Sequence, residues 1–219
     1  MTMTAAHEVG LRERKKRETR DRLRGVALRL AVERGVEHVT VEDIAAEADV
    51  STRTFFNYFG SKEEVLVGPD PSSATDMAQS LADRPADESP LDSVRALMLT
   101  RATVVAERAD DIRARMKLIT SCPALQPRYF ATAAAMERVL TEGIAARTGT
   151  DPDLDPYPSL LAGVASTVMR TTIISWLAGP GERRLTELID EAFDHIAAGL
   201  PAPAPAHRFR TAPKKRNPR

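Results

Sequence analysis

The stretch Val50-Ser51-Thr52-Arg53-Thr54-Phe55-Phe56-Asn57-Tyr58-Phe59-Gly60-Ser61-Lys62-Glu63-Glu64-Val65-Leu66 decides the reading of this chain. Polar and cationic groups from Ser51 to Thr54 open a short helix, the aromatic cluster Phe55, Phe56, Tyr58 and Phe59 backs it, and Gly60 stops it. Ser61 and Glu64 then have the spacing of a capping box, which opens a further helix carrying Lys62 at its start. A short capped helix with a polar, cationic front and an aromatic back is how a protein presents a reading helix to DNA.

The forty residues before it supply the support. Between Thr19 and Ala31, the positions Leu23, Val26, Ala27, Leu30 and Ala31 fall at i, i+3, i+4, i+7 and i+8, one stripe of an amphipathic helix. Gly35 supplies a residue that turns left-handed at the helix end. Thr40 with Asp43 predicts a capped second helix, Val41 to Ala46. Asp49 sits where the chain must turn, and aspartate tolerates the left-handed region better than most non-glycine residues. Ser51 or Thr54 caps the third helix, expected from about Arg53 to Phe59. Three short helices are thus predicted to fold on one another.

This order, from Arg17 to Leu66, resembles the DNA-binding domain of the TetR family of bacterial transcriptional regulators. The resemblance rests on Gly35, Thr40, Ile44-Ala45, Val50-Ser51, Thr54, Tyr58-Phe59 and Ser61-Lys62 in register. Two residues depart from the family pattern: Asp49 stands for the usual glycine of the turn, and Phe56 for a tyrosine whose hydroxyl generally reaches a phosphate. The resemblance implies an all-α protein: an N-terminal three-helix helix-turn-helix DNA-binding domain, then a C-terminal helical bundle for ligand binding and dimerisation. It implies a homodimer on a palindromic operator in double-stranded DNA, acting as a repressor released by an unknown small-molecule effector. The expected divisions are a basic extension (1–16), the DNA-binding domain (17–66), the ligand-binding and dimerisation domain (67–200) and a Pro/Ala spacer with a basic, disordered tail (201–219).

The residues nearest the bases should be Thr52, Arg53, Thr54 and Asn57, next to the cap Ser51. Arg53 suits a bidentate contact to guanine, the commonest specific pairing. Thr40, Tyr58, Lys62 and the arginine-rich first helix should hold phosphates, which set register but not sequence. Phe55, Phe59 and Ile44 should be the core behind them.

Formal net charge is zero, but the charge is unevenly distributed. From Arg12 to Arg29 nine basic residues face three acidic ones, and six more basic residues follow Ala206 without an acid. Residues 61–205 hold 14 basic and 21 acidic residues, so the ends attract polyanions and the middle repels them.

Low glycine, few aromatics and the absence of any strand pattern favour a helical bundle beyond Leu66. Gly68 to Ser73 should break or kink the fourth helix. Helices are then expected over about 91–108, 111–121, 127–147, 157–177 and 181–199. Tyr157 to Leu177 is apolar on several faces, so one side should meet the chain's own bundle and another a partner subunit. Val168, Leu185, Ile189, Phe193 and Ile196 are the expected interface. Met98, Met116, Ile119, Tyr129, Phe130, Met136, Met169 and Trp176 are the expected lining of the effector pocket, a set rich in adaptable side chains.

No enzyme is expected. Asp151, Asp153 and Asp155 mimic the start of a calcium loop, but Pro156 and Ala162 stand where glycine and glutamate are required, and a turn is the better reading. The four histidines lack ligand spacing, so no metal and no cofactor are expected. Cys122 is the single cysteine and reads as a packed thiol. No run is expected to reach membrane-span length and no secretory signal opens the chain, which points to a bacterial cytoplasmic, nucleoid-associated protein without membrane contact. The alternative is a constitutive architectural DNA-binding protein without an effector.

Overall fold

Caps and apolar stripes divide the chain into helices, and the computed structural model describes residues 2–67, 71–179 and 182–202, with side chains from residue 14 onward except 71 and 72. They are α1 (Thr2–Arg34), α2 (Val41–Glu47), α3 (Thr52–Phe56), α4 (Lys62–Val67), α5 (Pro71–Ala82), α6 (Pro90–Glu107), α7 (Ala109–Ser121), α8 (Gln126–Thr148), α9 (Tyr157–Ala178) and α10 (Leu185–Ala197). Among the described residues there is no strand. Helix α1 runs unbroken past residue 16, and the basic tail lies outside the described residues.

The amphipathic stripe of α1 becomes core: Leu23, Ala27, Leu30 and Ala31 are buried, with Val26 packed beside them. Ile44 and Ala45 of α2, Phe55 of α3, Phe59, and Val65 and Leu66 of α4 complete one side of this core. The other side comes from much later in the chain, Ile119 of α7 and Leu125 of the short 3-10 turn after it, with Met116, Cys122 and Tyr129 packed around them. The N-terminal head and the bundle therefore share one apolar interior.

Local chemistry fixes the head. The Thr40 hydroxyl accepts from Asp43 N at 3.1 Å while the Asp43 carboxylate accepts from Thr40 N at 2.9 Å, a complete capping box at α2. The hydroxyl and the backbone N–H of Thr40 hold the Asp43 carboxyl below its ordinary range. This contribution is therefore present at neutral pH and lost as pH falls through the lowered pKa. Asp49 takes φ 53° in the turn between α2 and α3, as its position requires. Ser51 Oγ accepts from Thr54 N at 3.0 Å and caps α3. Ser61 Oγ accepts from Glu64 N at 3.2 Å, as the expected capping box requires, while the Glu64 carboxylate accepts from Gly60 N at 2.9 Å, one residue earlier than that box would have it.

Helix α3 ends earlier than the sequence predicts. Asn57 N already donates to Thr54 O at 3.1 Å and Tyr58 N to Phe55 O at 2.9 Å, so the last turn tightens and places Phe59 in a loop that still points into the core. Lys62 also has an unexpected task. Its ammonium donates to Val36 O and Val39 O, each at 3.0 Å, and ties the start of α4 to the turn after α1. The phosphate contact expected of Lys62 has to compete with these two carbonyls.

A second core lies among α5, α6, α8, α9 and α10: Met77, Leu81, Val94, Leu97, Leu140, Ile144, Leu161, Ala165, Leu185, Ile189 and Phe193 are buried together. The sequence predicts only a break where Pro71 opens α5. Gly143 lets α5 approach α8, because a Cβ there would lie 2.8 Å from Leu81 Cδ2. Arg95 clamps α6 to α10 through Asp190 at 2.5 Å and Asp194 at 2.7 Å.

Two expectations are corrected here. Val168, Leu185, Ile189 and Phe193 are buried within the chain's own bundle, so these positions are core and not the expected interface; Ile196 is half-buried. The apolar surface left on α9 is Leu160, 65 % exposed, with Tyr157 and Ile174. Helix α9 also has the length and composition of a membrane span, 22 residues containing an 18-residue window of mean hydropathy 1.4, contrary to the expectation that no run would. Its side chains Leu161, Ala162, Ala165 and Val168 instead pack in the second core.

Truncating a fully enclosed ring should show this packing in stability: Phe193→Ala should cost about 3–5 kcal/mol by denaturant unfolding, and a loss under 1 kcal/mol would contradict it. Lys62→Met should cost roughly 1–3 kcal/mol, since two carbonyls lose charged donors. An unchanged unfolding midpoint would show that the two bonds contribute nothing net.

Candidate DNA-reading face and ligand cavity

Helix α3 buries Phe55 completely and leaves Thr52, Arg53, Phe56 and Asn57 exposed. These positions, i, i+1, i+4 and i+5, form one strip on the helix surface. Phe55 is held from both sides, by Phe56 edge-on at 5.5 Å and by Phe59 at 5.8 Å between ring centroids. The strip thus stands on an immobile aromatic base.

The expected site residues divide by what their polar atoms already do. Thr52, Arg53 and Asn57 present exposed side chains. Ser51 and Thr54 share a hydroxyl contact at 2.9 Å as part of the cap. Thr40 donates its hydroxyl to Asp43 at 2.6 Å. Tyr58 is half-buried, with the Arg20 guanidinium 5.7 Å from its ring centroid.

The arginine-rich first helix is more divided than its sequence suggests. Arg14, Lys15, Lys16, Arg17 and Arg22 are exposed and open to phosphates. Arg20 and Arg24 are buried, with their guanidinium groups 5.4 and 5.6 Å from the Phe59 ring centroid, so these two cations stabilise the head itself. Phe56 lies on the exposed strip, whereas the sequence pattern places it among the aromatics behind the helix. It is 56 % exposed, and an exposed ring on such a helix can meet a thymine methyl.

A cavity of about 730 Å³ lies where α1 meets the bundle. Four of the expected pocket residues line it: Met116, Ile119, Tyr129 and Met136. Met98 is buried in the second core, Met169 and Trp176 pack against that core, and Phe130 is exposed. Trp176 donates its indole N–H to Arg183 O at 3.1 Å, which closes the α9–α10 loop. These four are not lining residues.

The wall's remaining members were missed because they are scattered along the sequence. Arg17, Asp21, Arg24, Gly25 and Leu28 come from α1, Asp76 from α5, Arg101 from α6, Arg108 from the α6–α7 junction, Asp111 and Arg115 from α7, and Arg170 from α9. Asp21 faces Arg108 at 3.7 Å across the seam between head and bundle. Burial pushes the Arg101 and Arg115 guanidinium groups down, against the opposing pull of Asp76 and Asp111 respectively. The periodicity of apolar residues along one helix does not reveal such a cavity. Charged residues at inward positions of otherwise apolar stripes are the signal that could have.

Among the described residues no cluster of three or more His, Cys, Asp or Glu is placed to hold a metal ion. Asp151 and Asp155 instead accept backbone N–H groups of Asp153 and Tyr157 at 3.0 and 2.9 Å, forming the turn before α9. Cys122 packs half-buried against the first core.

Comparison with known proteins matches both halves. The pattern described as "Bacterial regulatory proteins, tetR family" covers residues 23–67, and "MftR C-terminal domain", a TetR C-terminal class, covers residues 88–201. The HTH-type transcriptional regulator TcmR of Streptomyces glaucescens is 38% identical over 185 residues, 80% of each chain. MftR of Mycobacterium tuberculosis, assigned to transcriptional regulation of mycofactocin biosynthesis, is 30% identical over 188 residues, 85% of this chain and 93% of that one. In fold, the chain is similar to Thermus thermophilus FadR, a TetR-family repressor solved with lauroyl-CoA, at TM-score 0.51 and 24% identity over 86% of this chain and 99% of that one. With its helix-turn-helix head, its all-helical bundle and these two curated relatives, the chain belongs to the TetR family of bacterial transcriptional regulators.

Proposed function

We propose that this protein is a ligand-responsive, sequence-specific repressor that binds a palindromic operator as a homodimer. The observation that carries the reading is the strip Thr52, Arg53, Phe56 and Asn57, exposed on a capped helix whose opposite side is locked in the core. Arg53 would read guanine, Asn57 would pair with adenine or a phosphate, and Phe56 would cover a thymine methyl. Exposed cations from Arg14 to Arg22 would hold the backbone. Residues 17–66 would be the DNA-binding domain and 67–200 the effector and dimerisation domain.

The cavity supports the ligand-responsive half. Its wall includes five residues of α1, the helix that also carries the head's core, so an occupant would touch the DNA-binding domain directly. FadR, of similar fold, was solved with a ligand. A constitutive architectural binder has no use for such a cavity. The leftover apolar surface on α9 and α10, with Leu160, Tyr157, half-buried Val164, Leu188, Ala192 and Ile196, supports a dimer face distinct from the buried stripe. The setting would be the bacterial cytoplasm, on the nucleoid, with no catalytic role.

Genomic occupancy of the tagged protein, with and without small molecules, tests the reading. A few palindromic sites, vacated on addition of one compound, are expected; broad occupancy without sequence preference would return the architectural alternative. At those sites Arg53→Ala should weaken operator binding by about 1–3 kcal/mol and leave random duplex nearly unaffected. Equal losses on both would remove Arg53 from the reading face. Leu160→Glu should yield a protomer with native helicity and half the mass by light scattering, and a surviving dimer would place the interface elsewhere.

A further inference from the structure

The cavity is charged in a way that its apolar lining does not explain. Six arginines and three aspartates line it beside Val104, Ile112, Met116, Ile119, Met136 and Ile173. Rim and interior differ. Arg17, Arg108 and Arg170 are exposed, whereas Arg101 and Arg115 are half-buried. Arg115 Nε is buried with no hydrogen-bond partner, and Asp21 Oδ1 on the facing wall is in the same position. Among the described residues no hydrogen bond or ion pair engages Arg101 or Arg115; Asp76 and Asp111 act on them only through longer-range attraction.

A half-buried guanidinium without a bonded acid, with its Nε shut off from water as in Arg115, is costly unless something completes it. Such a group presents a planar fork of donors that matches a carboxylate, sulfonate or phosphate oxygen pair. The neighbouring aliphatic and thioether side chains suit an apolar body, and about 730 Å³ falls within the range of sites for drug-sized molecules.

We infer that the effector is an amphipathic organic anion whose acidic group is held by Arg115, the arginine whose Nε lacks a partner, with Arg101 a second cation of the same wall, and whose apolar body lies against Val104, Ile112, Met116 and Ile119. This rests on the cavity being the effector site proposed above. Bound negative charge would also face Asp21 and compete with it for Arg108, the pair that spans the seam between head and bundle.

Two fluorescent probes of nearly the same shape test the inference on the full-length protein: anilinonaphthalene sulfonate, an anion, and N-phenylnaphthylamine, its uncharged counterpart. The sulfonate should saturate at one per chain and bind roughly ten- to a hundredfold more tightly than the neutral probe, the factor expected for charge-assisted hydrogen bonds in a partly dry site. Arg115→Met should erase most of that preference and Arg101→Met should reduce it, both leaving the neutral probe's affinity unchanged, which also shows that the cavity still folds. Arg113→Met, a neighbour on α7 paired with Asp110 at 2.8 Å and outside the cavity, should change neither.

Equal affinity of the two probes for the wild-type protein overturns the anionic assignment while keeping an effector cavity. Retained sulfonate preference in Arg115→Met overturns the role given to that residue. If neither probe binds the wild-type protein saturably, the effector reading itself falls together with the inference.

Discussion

The rest of the molecule depends on one apolar interior that two distant parts of the chain build together. Leu23, Ala27 and Leu30 of α1, Phe55 beneath the reading strip, and Val65 and Leu66 of α4 close only against Ile119 and Leu125, which arrive about fifty residues later. A head of three short helices buries little surface by itself, and small cores of this kind are marginal. Borrowing side chains from α7 gives the head a rigid base. It also removes the independence that a flexible linker would have allowed, so a displacement of α7 or α1 has to reach α3.

Polar contacts reinforce the same seam. Glu64 binds Gly60 N and meets Arg128 of α8 at 3.1 Å, so the residue that caps α4 also fastens it to the bundle. Lys62 closes the other side of that helix on Val36 and Val39. The cavity opens where α1 faces α7, beside these fastenings, and Asp21 and Arg108 stand across it. A response to an occupant of the cavity would then require no long path, because the occupant would touch the helix that carries the head's core.

Much of the head was legible in the sequence because its signals are local. Thr40 with Asp43, Asp49 in the turn and Ser51 at the cap each act within four residues, and each takes the conformation its chemistry dictates. The end of α3 was misplaced because Gly60 marked the stop, whereas the turn tightens at Asn57 through bonds that no sequence signal announces. In the bundle, periodicity shows that Leu185, Ile189 and Phe193 are buried but not by what, and a stripe of core has the same pattern as a subunit interface. The cavity was only half legible. Its methionines suggest adaptable packing wherever they stand, but Arg101 and Arg115 acquire meaning only when α6 and α7 bring them to the same space as Asp21 of α1.

The shared core can be tested directly by hydrogen exchange under native conditions on the wild-type protein and Leu125→Ala, a truncation expected to cost about 2–5 kcal/mol. Leu125 lies after α7, outside the head in sequence and fully buried within its core. The account predicts faster exchange in α1, α3 and α4 as well as in α7, with α6 and α10 of the second core unchanged as the internal reference. If protection falls only in α7 and α8 while α1, α3 and α4 exchange as before, the head stands on its own core and the coupling described here is absent.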